Sequence, residues 1–167
     1  TVMVAHEVGH LEFGTYQIDK AYLCEFASRV SQRNGYKQNN PDLVKTLDDL
    51  FSLYPQKGVI RDLWILIEDA RVEYLLQEEY QGFRMDLAVL AKASVSTRSL
   101  LHGMTAKEMV LDSLLCLFTQ EVKNVEIPET LKPVVEQSWV LAQAILHSDA
   151  SVEEALYIAD RIYHCLL

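Results

Sequence analysis

The stretch Leu63-Trp64-Ile65-Leu66-Ile67-Glu68-Asp69-Ala70-Arg71-Val72-Glu73 is an apolar run that ends in a mixture of acid and arginine. It belongs to a longer segment, from Gly58 to Gln81, in which apolar residues recur at the spacing of one helix face. This spacing predicts one long helix. Because burying an unpaired carboxylate is costly, the acids that follow Ile67 are expected to have a cation or a metal ion as partner.

The same helical spacing recurs along the rest of the chain, and alternation with a period of two is nearly absent. The sequence therefore predicts an all-α protein of about seven or eight helices in a single domain over residues 1–167. Besides the long helix, one predicted helix runs from Val2 to Phe13 and stops at Gly14-Thr15, and the next runs from Ile18 through Val30 to the stop at Asn34-Gly35. Others run from Asn40-Pro41 to near Pro55 and from Met85 to Leu101. Three more begin at the capping box Thr105–Glu108, near Pro128 and at the capping box Ser151–Glu154.

Composition and charge limit the classes of function. The chain has 167 residues, 50% of them hydrophobic and 23% charged, which is typical of a globular domain. Its net charge of -9 argues against nucleic acid or an anionic membrane surface as partner. The 3 cysteines are far apart, which argues against a disulfide framework and a thiolate zinc site.

The chain shows no targeting or membrane segment. No apolar run approaches the roughly 18 residues of a membrane span, and no signal peptide is recognisable at the N-terminus. We therefore expect a cytoplasmic protein. The chain starts at Thr1 rather than methionine, which leads us to expect a fragment of a longer protein.

The most specific chemical signal is His6-Glu7-Val8-Gly9-His10 in the first predicted helix. Residues four apart share a helix face, so both imidazoles can reach one Zn²⁺ ion at about 2.0–2.1 Å. Glu7 is then placed to act as the general base that deprotonates a zinc-bound water. Gly9 weakens the helix by roughly 1 kcal/mol relative to alanine, which predicts a close approach at this position, by another helix or by substrate.

Two histidines do not complete a catalytic zinc site, which usually has three protein ligands. Glu68 is the first choice for the third ligand because it shares a helix face with Trp64 and Arg71. Asp69 is the second choice, with an alternative role of accepting the outer N–H of one of the histidines. Arg71 is a candidate catalytic residue that orients Glu68 or polarises a substrate carbonyl. A salt-bridge cluster centred on Arg71, without metal, is the other interpretation of this segment.

Three further histidines are ligand candidates by residue type alone, namely His102, His147 and His164. The first two stand at predicted helix C-termini, where the helix dipole favours a histidine without any metal. We expect His164 to be an ordinary core or surface residue.

Together the two segments resemble those of zincin-like metallopeptidases, in which a glutamate on a later helix completes the site. The residues that carry the resemblance are Ala5 to His10, Gly14-Thr15 and the run from Ile67 to Glu73. More narrowly, they are similar to the helical region that precedes a von Willebrand factor A domain in bacterial proteins of the nitric oxide reductase activation and cobaltochelatase type. The resemblance covers about the first half of the chain and is one of motif only.

The resemblance implies a zinc ion held by His6, His10 and Glu68, with Glu7 as general base, in a zincin-like site on two helices. It also implies a von Willebrand factor A domain, which would have to follow Leu167, or an AAA+ partner.

Two functions fit these observations. The first is a zinc-dependent hydrolase of the metallopeptidase type, with a peptide or protein as substrate. The second is a zinc-stabilised, non-catalytic docking module of a larger chaperone or metal-insertion assembly.

Overall fold

A computed structural model describes residues 2–35, 44–87, 89, 104–119 and 127–167. Over these residues the chain forms α-helices joined by turns and short 3-10 segments, and no strand occurs among them. The all-α prediction is confirmed. The helices are α1 (Val2–Glu12), α2 (Lys20–Arg33), α3 (Leu47–Phe51), α4 (Lys57–Glu79), α5 (Ala106–Phe118), α6 (Lys132–Ala142) and α7 (Val152–Cys165).

Helix α4 is the central element of the fold. It is 23 residues long and contacts α1, α3, α5 and α7. Its inner face buries Ile60, Leu63 and Ile67 completely, as the spacing of these residues predicted. The charged residues Glu68 and Arg71 are also buried, so the helix carries polar groups into the interior one turn beyond its apolar run.

Helix α7 packs against α4 in the antiparallel sense. The carbonyl of Ala150, just before α7, accepts a hydrogen bond from Arg71, and the Tyr163 hydroxyl near its other end accepts one from the backbone N–H of Gln56. Ala155, Ala159 and other small or apolar residues on its inner face are fully buried in the main core. These contacts join the last helix of the chain to the middle one.

A polar cluster of Arg33, Tyr54 and Asp160 joins the end of α2 to α7. Both terminal nitrogens of Arg33 donate to the Asp160 carboxylate, at 3.1 and 2.6 Å, and the Tyr54 hydroxyl donates to the same group at 2.6 Å. Burial, together with the Asp160 charge, raises the pKa of Tyr54, so the phenol keeps the proton that it donates. The cluster is satisfied internally and is best explained as structural.

Most predicted helix ends agree with the structure. Gly14 and Gly35 have φ values of 73° and 74°, the left-handed backbone that ends a helix, and each stands two residues after the last residue of α1 or α2. Thr105 and Glu108 form the predicted reciprocal capping box of α5. Ser151 caps α7 by accepting from the backbone N–H of Glu154, as predicted.

Two predicted helices differ from the structure where it describes them. Residues 44–45 are not helical, and Thr46 caps α3 through a capping box with Asp49, so no continuous helix runs from Asn40-Pro41 to Phe51. The start expected at Pro128 is displaced to Lys132, because Pro128 instead accepts a turn hydrogen bond from Leu131. The predicted helix from Met85 to Leu101 lies mostly outside the described residues.

Gly9 marks a close approach between α1 and α4. A Cβ atom at this position would lie 2.9 Å from side-chain atoms of both Val72 and Leu76. Phe13 packs on the same cluster, which also includes Leu87. Of the two explanations considered for Gly9, a neighbouring helix is therefore the one that the structure shows.

In the part of the chain that the structure describes, no helix is both long enough and apolar enough to cross a membrane.

We predict that Gly9→Val lowers the free energy of unfolding by about 1–3 kcal/mol, because the side chain must push α1 away from α4. Denaturant unfolding measures this change. Gly58→Ala is the matched control, since nothing lies within 4 Å of the Cβ position at Gly58 in α4. It should be neutral or stabilising by up to about 1 kcal/mol. Equal effects of the two substitutions would contradict tight packing at Gly9.

Candidate metal centre

Three side chains on α1 and α4 converge as a possible metal-binding group, His6, His10 and Asp69. One ligand atom from each lies within 4.8 Å of the others. The His6 Nε2 to His10 Nε2 distance is 3.1 Å, and Asp69 Oδ1 lies 3.3 Å from His10 Nε2 and 3.8 Å from His6 Nε2. These three side chains are called the metal-binding group below, because their atoms are of the types and at the spacing that could hold a metal ion.

The spacing of these atoms fits a tetrahedral ion. Ligands at 2.0–2.1 Å from a tetrahedral Zn²⁺ ion are separated by about 3.3 Å. Two of the three observed separations are within a few tenths of an ångström of this value, and the third is 0.5 Å longer. Small rotations of the side chains would close that difference.

The orientation of His10 is fixed by a buried relay of hydrogen bonds. Its Nδ1 lies 3.0 Å from the Thr15 hydroxyl, which donates to Glu68 Oε1 at 2.5 Å. Because the single hydroxyl proton goes to the carboxylate, Thr15 must accept from His10, so Nδ1 carries the proton. In the neutral ring Nε2 then presents its lone pair to the group, as a metal ligand must.

The outer nitrogen of His6 faces a second carboxylate. His6 Nδ1 is buried and makes no hydrogen bond, and Glu73 Oε1 lies 3.8 Å from it. If Nε2 binds a metal, Nδ1 carries the proton and points towards this carboxylate. Both imidazoles thus have an acceptor on the side away from the proposed ion.

The electrostatics of the group favour a negative carboxylate next to the two histidines. Contact with Asp69 raises the pKa of His6 against the effect of burial, and the charges of Glu73 and Glu7 add to it. Burial disfavours ionisation of Asp69, but its contacts with His10 and His6 outweigh burial and lower the pKa of this carboxyl. Burial raises the pKa of Glu73, although the His6 charge opposes it.

Glu68, the first choice for the third ligand, occupies a different place. It is 1% exposed, and both of its oxygens accept hydrogen bonds from Arg71, at 2.8 and 2.6 Å. It lies outside the group of His6, His10 and Asp69. The structure therefore places Asp69, the second choice, beside the two histidines, and it connects Glu68 to His10 through the Thr15 hydroxyl.

Arg71 is also buried, at 1% exposure, and its donors are used within the fold. Besides the pair with Glu68, it donates to the carbonyls of Phe13 and Ala150 at 3.0 and 3.1 Å. This arrangement matches the alternative salt-bridge interpretation and the role of orienting Glu68. A side chain so enclosed is not placed to polarise a substrate carbonyl.

Glu7, the candidate general base, lies on the solvent side of α1. Its carboxylate is exposed, and its charge is close enough to contribute to the raised pKa of His6. The Asp69 side chain is 42% exposed, so the candidate metal-binding group is open to solvent at this residue. Glu7 is not one of the three side chains of the group.

The remaining histidines do not join the group where they are described. His147 Nε2 contacts the Glu154 carboxylate at 2.9 Å, and His164 Nε2 lies 3.4 Å from Asp160. His102 lies outside the described residues.

Sequence reasoning missed two residues of the site. Thr15 was interpreted only as part of a helix stop, whereas its hydroxyl connects His10 to Glu68. Glu73 was named only as the end of the run from Ile67, whereas its Oε1 lies 3.8 Å from His6 Nδ1. Glu73 could have been found, because residues 69 and 73 share a helix face. The link from His10 through Thr15 to Glu68 could not, because Thr15 and Glu68 are 53 residues apart.

Comparison of the chain with protein-family models, curated proteins and solved structures gives no match in any of the three. The resemblance to zincin-like and cobaltochelatase-type proteins therefore stays a prediction from motifs.

We predict that Thr15→Val lowers zinc affinity about 10- to 100-fold, because His10 loses the acceptor that fixes its tautomer. Competition with a chromophoric chelator measures the affinity. Thr15→Ser keeps the hydroxyl and should retain most of the affinity. Unchanged zinc affinity in the valine variant would contradict a role of Thr15 in orienting His10.

Asp69→Asn and Glu68→Gln are predicted to separate metal binding from stability. The first should lose zinc, counted by elemental analysis, with a small change in the thermal midpoint of the metal-free protein. The second should lose about 3–5 kcal/mol of stability, because it leaves Arg71 as an uncompensated buried charge. Loss of zinc in Glu68→Gln, with full occupancy in Asp69→Asn, would return the ligand role to Glu68.

Proposed function

We propose that this domain is a zinc-dependent hydrolase of the metallopeptidase type. In this proposal His6, His10 and Asp69 hold the ion and Glu7 is the general base. The observation that carries it is the convergence of the three ligand atoms, with the lone pair of His10 Nε2 directed into the group by Thr15 and Glu68. The histidine and carboxylate donors suit zinc, which binds nitrogen and oxygen ligands in this geometry.

When bound, zinc supplies a Lewis acid that polarises a carbonyl and lowers the pKa of a coordinated water to about 7. His6, His10 and Asp69 would hold the ion, and the partial exposure of Asp69 leaves the group accessible to solvent. In peptide hydrolysis the oxygen of a water bonds to the carbonyl carbon and the C–N bond breaks; Glu7 would take a proton from that water and pass it to the leaving amine.

Two further features support a hydrolytic site. The outer nitrogen of His10 is held by the Thr15 hydroxyl, and a carboxylate oxygen of Glu73 lies 3.8 Å from the outer nitrogen of His6. Glu7 is exposed and directly follows His6 in α1. A purely structural site needs no free carboxylate beside it.

The test is hydrolysis of a quenched fluorescent peptide mixture by the zinc-loaded protein and by Glu7→Gln. The substitution removes the base but no ligand, so zinc content should stay at about one per chain while hydrolysis falls by at least about 100-fold. Glu12→Gln, which changes another exposed glutamate of α1, is the control and should retain activity. Hydrolysis at the full rate by Glu7→Gln would reject Glu7 as the base.

A second candidate is a zinc-stabilised docking module without catalysis. The observation that favours it is the apolar outer face of α1, where Met3, Val4, Val8 and Leu11 are 50–67% exposed. By the motif resemblance, a von Willebrand factor A domain or an AAA+ protein would be the partner. Under this proposal chelation lowers the thermal midpoint while no peptide is cleaved, since binding to the native state stabilises it.

A further inference from the structure

A groove of about 420 Å³ lies between α4 and α5 and extends to the metal-binding group. Asp69 belongs to both, because its Oδ1 faces the histidines while its side chain also lines the groove. A ligand in the groove would therefore lie next to the proposed ion. The volume is in the range of sites that hold small ligands or side chains.

The side chains that line the groove combine two kinds of chemistry. Apolar groups come from both helices, with Ile65 and Leu66 on α4 and Leu111 and Leu115 on α5. Ile65 is 42% exposed, so part of this apolar surface is open to solvent. Such a surface favours an apolar side chain of a ligand, which would leave water on binding.

The polar lining of the groove is acidic. Asp62, Asp69, Glu108 and Asp112 contribute, and no lysine or arginine is among the described residues that line it. Arg61 lies 3.7 Å from Asp62, but both side chains are more than half exposed, so this contact offsets little of the charge. Glu108 accepts a hydrogen bond from the backbone N–H of Thr105 and keeps its charge at the helix start.

We propose that this groove binds the part of a polypeptide substrate next to the scissile bond and selects an apolar residue flanked by lysine or arginine. The inference rests on the proposed hydrolase function and names its substrate class. The apolar lining accepts the side chain, and the carboxylates of Asp62 and Glu108 attract the basic flanks. In an extended peptide adjacent residues are about 3.4 Å apart, so a residue in the groove places the neighbouring peptide bond near the metal-binding group.

Binding is tested apart from catalysis with Glu7→Gln protein loaded with zinc. Two fluorescein-labelled peptides share a central leucine-phenylalanine pair and differ only in their flanks, which are lysine and arginine in one and glutamate and aspartate in the other. Fluorescence anisotropy gives both dissociation constants. The basic peptide is expected to bind at least about 10-fold more tightly, with a preference that weakens as salt is added.

Matched substitutions locate the binding surface. Asp62→Lys and Ile65→Lys should each weaken binding of the basic peptide by about 3- to 10-fold. Glu136→Lys and Val140→Lys make the same changes at exposed positions of α6, outside the groove, and should stay within about twofold of the parent. All four positions are exposed, and thermal unfolding verifies that the variants fold.

The outcomes separate the groove from the hydrolase proposal. If the two peptides bind equally, if neither binds, or if the α6 controls weaken binding as much, the groove assignment is overturned. The groove assignment is also overturned if the parent chain is a dimer and Ile65→Lys makes it a monomer, because the groove is then a contact between two copies of the chain. If the peptide preference holds while the parent protein cleaves neither peptide, the groove stands and the hydrolase proposal fails.

Discussion

The buried ion pair between Glu68 and Arg71 is the interaction on which the site and its surroundings depend. Both side chains are 1% exposed, and desolvation of two charges is tolerated because nearly all of their hydrogen-bonding groups have partners. Arg71 also donates to the carbonyls of Phe13 and Ala150, the first beyond the end of α1 and the second before the start of α7. The pair thus holds three segments that are distant in sequence.

The Glu68–Arg71 pair is also connected to His10, through the hydroxyl of Thr15. Glu68 accepts from Thr15, and Thr15 accepts from His10, so a charge fixed in the core determines which nitrogen of an imidazole is free. The arrangement gives Glu68 a stabilising and an orienting role, and leaves the adjacent Asp69, which is partly exposed, as the carboxylate that faces the histidines. Neighbouring acids on one helix therefore have different roles because they point to different sides of it.

The packing of α1 on α4 sets the distance between the two histidines and Asp69, the candidate metal ligands. Gly9 permits this approach, since its missing side chain leaves room for Val72 and Leu76. It stands within the motif that carries both histidines, so the residue that brings the helices together also brings His6 and His10 to Asp69. On the far side of Asp69, the groove between α4 and α5 extends the open surface with apolar and acidic groups.

The sequence alone determined the helical fold class, the long central helix, most helix ends and the two segments that meet at the site. These features are local, because helical periodicity, glycine stops and capping boxes depend on residues a few positions apart. The choice between Glu68 and Asp69, the burial of Arg71 and the relay through Thr15 were decided only by tertiary structure. Each depends on how α4 is rotated against α1 and α7, and a one-residue step on a helix turns a side chain by about 100°.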